Sequence, residues 1–169
     1  TVKELQSLLD RMGRSADVRG YFARQVSSGR SMRALLLCTA LFHDVGKPRT
    51  FKYEKKKVSF YGHERIGSKM AGELGCRLKL SNDEVRSIRR ITFLHLRPGY
   101  LATMPVVSSR AVFRFFRDGG NDSAAILLLA LADERATSGY TVVDKIRPKY
   151  ERLMFRLVKK YFRQQKETP

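Results

Sequence analysis

An all-α fold is what three observations on this 169-residue chain predict. Apolar residues recur three and four apart along almost every segment, those segments open on polar caps and close on glycine or proline, and only one stretch lacks the helical period. That stretch, RTFKYEKKKVSFYG, mixes aromatics with lysines and reads as an exposed loop or a short β-hairpin near residues 50–61, the one plausible β element.

The elements follow in order. Amphipathic helices are expected over residues 2–12 and 18–26. Ser31 then caps a buried-looking helix over 33–43, which Gly46 and Pro48 stop. Between residues 62 and 78, Ile66, Met70 and Leu74 recur at helical spacing with His63 on their face. SNDE at 81–84 is a capping box that starts a helix through Leu96, closed by Pro98 and Gly99. Helices over 108–117 and 122–137 flank the turn DGGND, and a last helix covers 142–165. The expected division is a helical domain at 1–141, lacking the start of its first helix, and a basic C-terminal helix at 142–169 leading to a further segment.

Charge narrows the function. Thirty-four Lys and Arg against 16 Asp and Glu leave +18, and nine of those cations face three acids within 142–169. Such an excess predicts a polyanionic partner, with tRNA or another RNA foremost, because neutralising phosphates releases counterions without any need to read sequence. The longest uncharged apolar run, ALLLCTALF, is far short of the roughly 20 residues of a membrane span, and no signal peptide opens the chain. A soluble, cytoplasmic protein with no membrane partner is expected. Cys38 and Cys76 lack CxxC or zinc spacing and read as reduced core residues. No Asp-x-Asp pair and no glycine-rich phosphate loop occurs, so this stretch carries no polymerase or P-loop chemistry of its own.

Five residues form a pattern. His43 shares a helix face with Leu36, Thr39 and Ala40, and His95 shares one with Val85, Ile88 and Ile91. Asp133 falls with Ile126, Leu129 and Ala130, and Asp44 follows His43 directly. All three histidines of the chain and two aspartates thus stand at the polar ends of apolar faces. An aspartate there needs a partner or a metal, and an acid at a helix C-terminus also opposes the macrodipole. Taken singly, an inward histidine is more often a hydrogen-bonded core residue than a ligand, and Asp133 could pair with one of the many arginines. On spacing alone, a metal site and a set of satisfied core residues remain two open accounts.

The ordered motifs HDVGKP, FYGHERIG, FLHLRPG and LLLALADERATSG resemble the HD domain of the bacterial tRNA nucleotidyltransferase (CCA-adding) and poly(A) polymerase family, within the HD metal-dependent phosphohydrolase superfamily. SGRSMRALLLCTALFHD and SSRAVFRFFRDGG are similar to the stretches between them, and the resemblance covers roughly residues 20–140. It implies an HD-domain helical bundle with a divalent-metal site, whether Mg, Mn, Ni, Co or Fe, made by His43, Asp44 and Asp133. His63 and His95 would serve as ligands of a second metal or as phosphate contacts. One departure stands out: such families carry a further ligand histidine on the first helix, and no histidine precedes His43 here. Either that ligand lies before Thr1, which the helix-like start TVKELQSLLD favours, or the site is degenerate.

The remaining candidates follow from charge. Asp44 is a candidate catalytic residue, and Lys47 and Arg97, just beyond the ligand pairs, could neutralise phosphate or be ordinary surface charge. Arg110, Arg114 and Arg117 lie on one helix face and could track an RNA backbone, as could Lys159 and Lys160. Lys55, Lys56 and Lys57, with aromatics interleaved, could grip single-stranded nucleic acid. Two accounts of function stand: a phosphohydrolase acting on phosphomonoesters or 2',3'-cyclic phosphates within a tRNA-processing protein, and an idle helical scaffold that only supports tRNA for an upstream nucleotidyltransferase head. A stand-alone hydrolase of nucleotides or alarmones is a weaker third, since small substrates do not call for so basic a helix.

Overall fold

Ten α-helices, one turn of 3-10 helix and two small hairpins account for residues 1–13, 15–27, 29–137 and 147–167, the residues that a computed structural model of the chain describes. In chain order they are α1 (Val2–Met12), α2 (Ala16–Ala23), β1 (Gln25–Ser27), β2 (Arg30–Ser31), α3 (Met32–Phe42), α4 (Lys47–Thr50), β3 (Lys52–Glu54), β4 (Lys57–Ser59), α5 (His63–Arg77), α6 (Asn82–Leu94), α7 (Arg97–Thr103), α8 (Ser109–Gly119), α9 (Ser123–Thr137) and α10 (Arg147–Glu167). The all-α class holds. Of the last expected helix, residues 142–146 lie outside the described residues.

The centre is α9, in which every residue from Ser123 to Ala132 is buried. A helix apolar on all sides has to be enclosed, and here α1, α3, α6, α7, α8 and α10 surround it. α10 meets it with Tyr150, Leu153, Met154, Leu157, Val158 and Tyr161, three and four apart, in the same core as Leu5, Leu8 and Leu9 of α1. Each fully buried aliphatic side chain of this kind contributes about 1.5–3 kcal/mol. The entry to α9 is fixed by a buried charge: Asp122 accepts from Arg90 Nη1 at 2.9 Å and Ser87 Oγ at 3.0 Å, both on α6.

Local signals set the helix starts. Ser31 accepts from the Ala34 amide, Ser108 from the Ala111 amide, and Ser81 with Glu84 forms the expected capping box. Glu84, fully buried, also takes the guanidinium of Arg30 at 2.6 and 2.9 Å, which pins β2 to the head of α6.

Four expectations need correction. A second hairpin, β1–β2, occupies the end of the expected 18–26 helix, turning where Gly29 takes φ +77°. Pro98 does not close α6; it opens α7, as Pro48 opens α4, because proline's missing N–H is no loss in a first helical turn. The buried face of α5 is not Ile66, Met70 and Leu74 but His63 followed by Gly67, Ala71 and Gly75, three small residues that let α6 approach closely. Cys76 is exposed rather than in the core, and both cysteines are free.

Candidate metal centre

Three helix ends meet at one carboxylate. His43 is the C-cap of α3, His95 the C-cap of α6 and His63 the first residue of α5, and all three rings are buried. Each ring is oriented alike. Nδ1 of His43 lies 2.9 Å from the Ala40 carbonyl, Nδ1 of His63 2.8 Å from that of Phe60, and Nδ1 of His95 2.6 Å from that of Thr92. A carbonyl can only accept, so each Nδ1 carries a proton and each Nε2 faces inward.

What they face is Asp44. Its Oδ1 lies 3.3 Å from His63 Nε2 and 3.8 Å from His95 Nε2, and its Oδ2 lies 3.3 Å from His43 Nε2. The same His43 Nε2 also lies 3.3 Å from Oδ1 of Asp133 on α9. The donor atoms form two overlapping sets, Asp44–His63–His95 and His43–Asp44–Asp133, each with its atoms within 4.8 Å of one another. Asp44 belongs to both. The hydroxyl of Thr1 donates to Asp133 Oδ1 at 3.0 Å, so the start of α1 borders the same site.

Glycine makes this convergence possible. A Cβ on Gly46 would lie 2.3 Å from the His63 carbonyl oxygen and 2.6 Å from the Gly67 amide nitrogen, distances that no side chain survives. Gly46 against Gly67 therefore brings the segment after α3 into backbone contact with the first turns of α5, and His43, Asp44 and His63 meet as a result. The sequence signal was there in a glycine two residues after Asp44 and another in a helix interior, where glycine costs roughly 0.5–1 kcal/mol relative to alanine without such a reason.

The electrostatics describe a site short of positive charge. Burial works against a proton on His43, but Asp133 and Asp44 outweigh it and carry the imidazole pKa up to about 9. Asp44 is likewise pushed up by burial but held well below the carboxylate range by His43 and Lys47, and Asp133 is depressed chiefly by His43 against its burial. His95 goes the other way: burial pushes it down to about 4, so its ring stays neutral. Around Asp44, meanwhile, three buried atoms have no hydrogen-bond partner: Asp44 Oδ1, His63 Nε2 and His95 Nε2. With Nδ1 protonated, the neutral ring of His95 turns a lone pair on Nε2 toward a carboxylate oxygen that is itself only an acceptor. Such an arrangement is costly unless a cation lies between, and imidazole with carboxylate is a ligand set for divalent metals.

Lys47 borders this cluster, and further charged side chains lie on the surfaces beyond. Lys47 Nζ lies 2.6 Å from Asp44 Oδ2. Arg97 is held by Asp118 of α8, Nη1 to Oδ2 at 2.5 Å, and Arg117 binds the same carboxylate. Arg110, Arg114 and Arg117 are all exposed along α8. On α10, Arg152, Arg156, Lys159, Lys160 and Arg163 line a groove of about 650 Å³ together with Phe155. Lys55 and Lys56 occupy the two-residue turn of the β3–β4 hairpin and Lys57 begins β4, all three exposed.

Against known proteins, the family model for the HD domain matches residues 6–138. This chain belongs to the HD domain family. That places it in a superfamily of metal-dependent phosphohydrolases, with an all-helical architecture that agrees with the fold above. An A-adding tRNA nucleotidyltransferase of Deinococcus radiodurans is 33% identical over 107 residues, which cover 62% of this chain and 23% of that protein. The HD chain therefore spans about a quarter of its relative's length. Among the described residues, no helix is long and apolar enough to cross a membrane.

Proposed function

We propose that the chain is the metal-dependent phosphohydrolase portion of a tRNA nucleotidyltransferase-like protein, cleaving phosphomonoesters or 2',3'-cyclic phosphates at the His43–Asp44 cluster and holding RNA on its basic flank. The observation that carries this reading is the set of partnerless polar atoms around Asp44: two imidazole nitrogens and a carboxylate oxygen, buried and facing one another. His43, Asp44 and Asp133 would hold one divalent ion, and Asp44, His63 and His95 are the residues for a second ion or for a phosphate. A divalent ion bound there supplies Lewis acidity and a more acidic water.

The chain's own groups do the rest. The three backbone carbonyls hold each ring in one tautomer and one orientation, so the donor atoms are arranged before substrate arrives. Asp44 is braced by Lys47, whose ammonium stands at the rim where a phosphate oxygen would enter. Arg97, two residues beyond His95 and fixed by Asp118, is the second cation proposed to meet the phosphate. Lys55, Lys56, Lys57, Arg110, Arg114, Arg117, Lys159 and Lys160 are the proposed RNA contacts, and the relative's tRNA chemistry supports RNA as the polyanion.

The test is metal stoichiometry and phosphate release by the wild-type chain, Asp44→Ala and Asp133→Ala. Uptake of Mn, Ni, Co, Fe or Mg with phosphoester hydrolysis is expected for the wild type, and loss of both in Asp44→Ala. Equal metal content in all three proteins would overturn the site. Metal binding without hydrolysis would leave the idle-scaffold account standing.

A further inference from the structure

Exposed aromatic residues gather in the segment that leads into His63. Among the described residues eleven large apolar side chains are exposed, and Phe51, Tyr53, Val58 and Tyr61 all lie in the one stretch that links α4 to α5. Scattered singly, such residues need no explanation, but a cluster does.

Its position gives the explanation. Phe51 and Phe60 face each other across the base of the β3–β4 hairpin, ring centroids 5.9 Å apart and tilted by 54°. Phe51 is 55% exposed and Phe60 half-buried, so the pair keeps an open side, and Tyr61, next in the chain, is 88% exposed. Lys47 Nζ lies 5.7 Å from the Phe60 ring centre and 2.6 Å from Asp44 Oδ2. The carbonyl of Phe60 is also what fixes His63. Aromatic face, ammonium and carboxylate thus follow one another within the span of a single nucleotide.

We infer that Phe51, Phe60 and Tyr61 form a seat for the nucleobase of the reacting nucleotide, so that the metal centre selects nucleotide phosphates, such as the 3' end of an RNA, over phosphoesters lacking a base. The inference rests on the phosphohydrolase reading for the position of the phosphate but not for the stacking itself. Every base offers a π-face, and a base laid on Phe51 and Phe60 would leave its phosphate toward Lys47 and Asp44. The lysines complete the argument. Lys55 and Lys56 sit at φ +50° and +59°, a two-residue turn that ordinarily takes Asn-Gly, and the chain keeps two cations there instead. A basic tip on an aromatic base is what an incoming strand of phosphates and bases would meet.

The experiment uses the metal-loaded chain and two probes, adenosine 3'-monophosphate and glycerol 2-phosphate, with 2-aminopurine riboside 3'-monophosphate as a fluorescent reporter of stacking. Phe51→Ala with Tyr61→Ala is expected to raise KM for adenosine 3'-monophosphate about tenfold and to abolish 2-aminopurine quenching. Metal content and turnover of glycerol 2-phosphate should stay as they were. Phe51→Leu, which keeps the apolar contact with Phe60, should behave like alanine, and Phe51→Tyr should restore wild-type values. Equal losses on both substrates, or wild-type quenching in the double variant, would overturn the seat. Quenching that depends on Phe51 in a chain that hydrolyses neither probe would support the seat while removing the hydrolase reading.

Discussion

The His43–Asp44 cluster and the basic flank of α8 and α10 are built on opposite terms. In the cluster, three buried imidazoles are each tied to a backbone carbonyl and aimed at one carboxylate, and a glycine–glycine contact sets the distance. On the flank, Arg110, Arg114, Lys159 and Arg156 are exposed side chains on helices whose other faces fill the core. Orientation is bought by burial in the first. In the second, attraction to a polyanion depends on how many cations are present, not on where each points. A single change should therefore cripple the cluster, whereas the flank should weaken by increments.

Gly46→Ala is the sharpest way to test the first half, and the largest effect expected. The added methyl collides with backbone on α5, which cannot step aside as a side chain could. Overpacking of this kind costs about 1–3 kcal/mol, and the upper end is expected here. Because the same contact brings His63 to Asp44, metal affinity should drop together with the urea midpoint. Gly72→Ala is the control, since the atoms nearest its methyl, Cδ and Cγ of Arg89 at 2.7 and 2.9 Å, belong to a side chain that can turn aside where backbone cannot, and it should cost less. Two variants of equal stability would mean that the Gly46–Gly67 contact does not set the cluster.

Glu84 lies between the two regimes, a buried carboxylate held by a half-exposed cation. Arg30, then the Ser81 cap against the opposing effect of burial, lowers its pKa from 4.5 to about 2. The folded state thus binds this proton less readily than the unfolded chain, so the stabilisation is complete above pH 4.5 and is lost as pH falls toward about 2. Glu84→Gln should cost about 1.5–3 kcal/mol at neutral pH, by trading a charge-assisted fork for neutral hydrogen bonds. The stability difference between wild type and variant should then shrink as pH falls through that window. A difference that stays constant from pH 7 downward would assign the loss to packing instead of charge.

The two regions also differ in how legible they were. Helix starts were plain, since Ser31, Ser81 and Ser108 announce themselves by hydrogen bonds made within four residues. The five residues that the structure brings together stand out in the sequence because histidine and aspartate at the ends of apolar faces are chemically conspicuous. What was not legible depends on backbone approach. A hydrophobic period ranks side chains, so it chose Ile66, Met70 and Leu74 as the inner face of α5, while the helix buries Gly67, Ala71 and Gly75. Pro48 and Pro98 read as stops from local sequence alone. Only the course of the chain after each helix end decides whether a proline closes one helix or opens the next.

The smallest effect on the fold, and the one that completes the comparison, belongs to the triple variant Arg110→Ala, Arg114→Ala and Arg117→Ala. All three side chains are exposed, so stability should move by no more than about 0.5 kcal/mol, and metal content should not change. RNA binding should change instead. Each arginine that neutralises a phosphate accounts for about 0.7–0.9 of the slope of log affinity against log salt, so the triple variant should lower that slope by about two units or more. Backbone contacts carry no sequence information, so unrelated tRNAs should lose affinity alike. Arg117 adds a distinguishing detail, because it shares Asp118 with Arg97. Removing Arg117 alone leaves Asp118 wholly to Arg97, so the single variant should lower the salt slope without slowing phosphate release. If it slowed release and left the slope unchanged, Arg117 would belong to the rim of the metal centre, acting through Asp118, and α8 would not be an RNA face at that position.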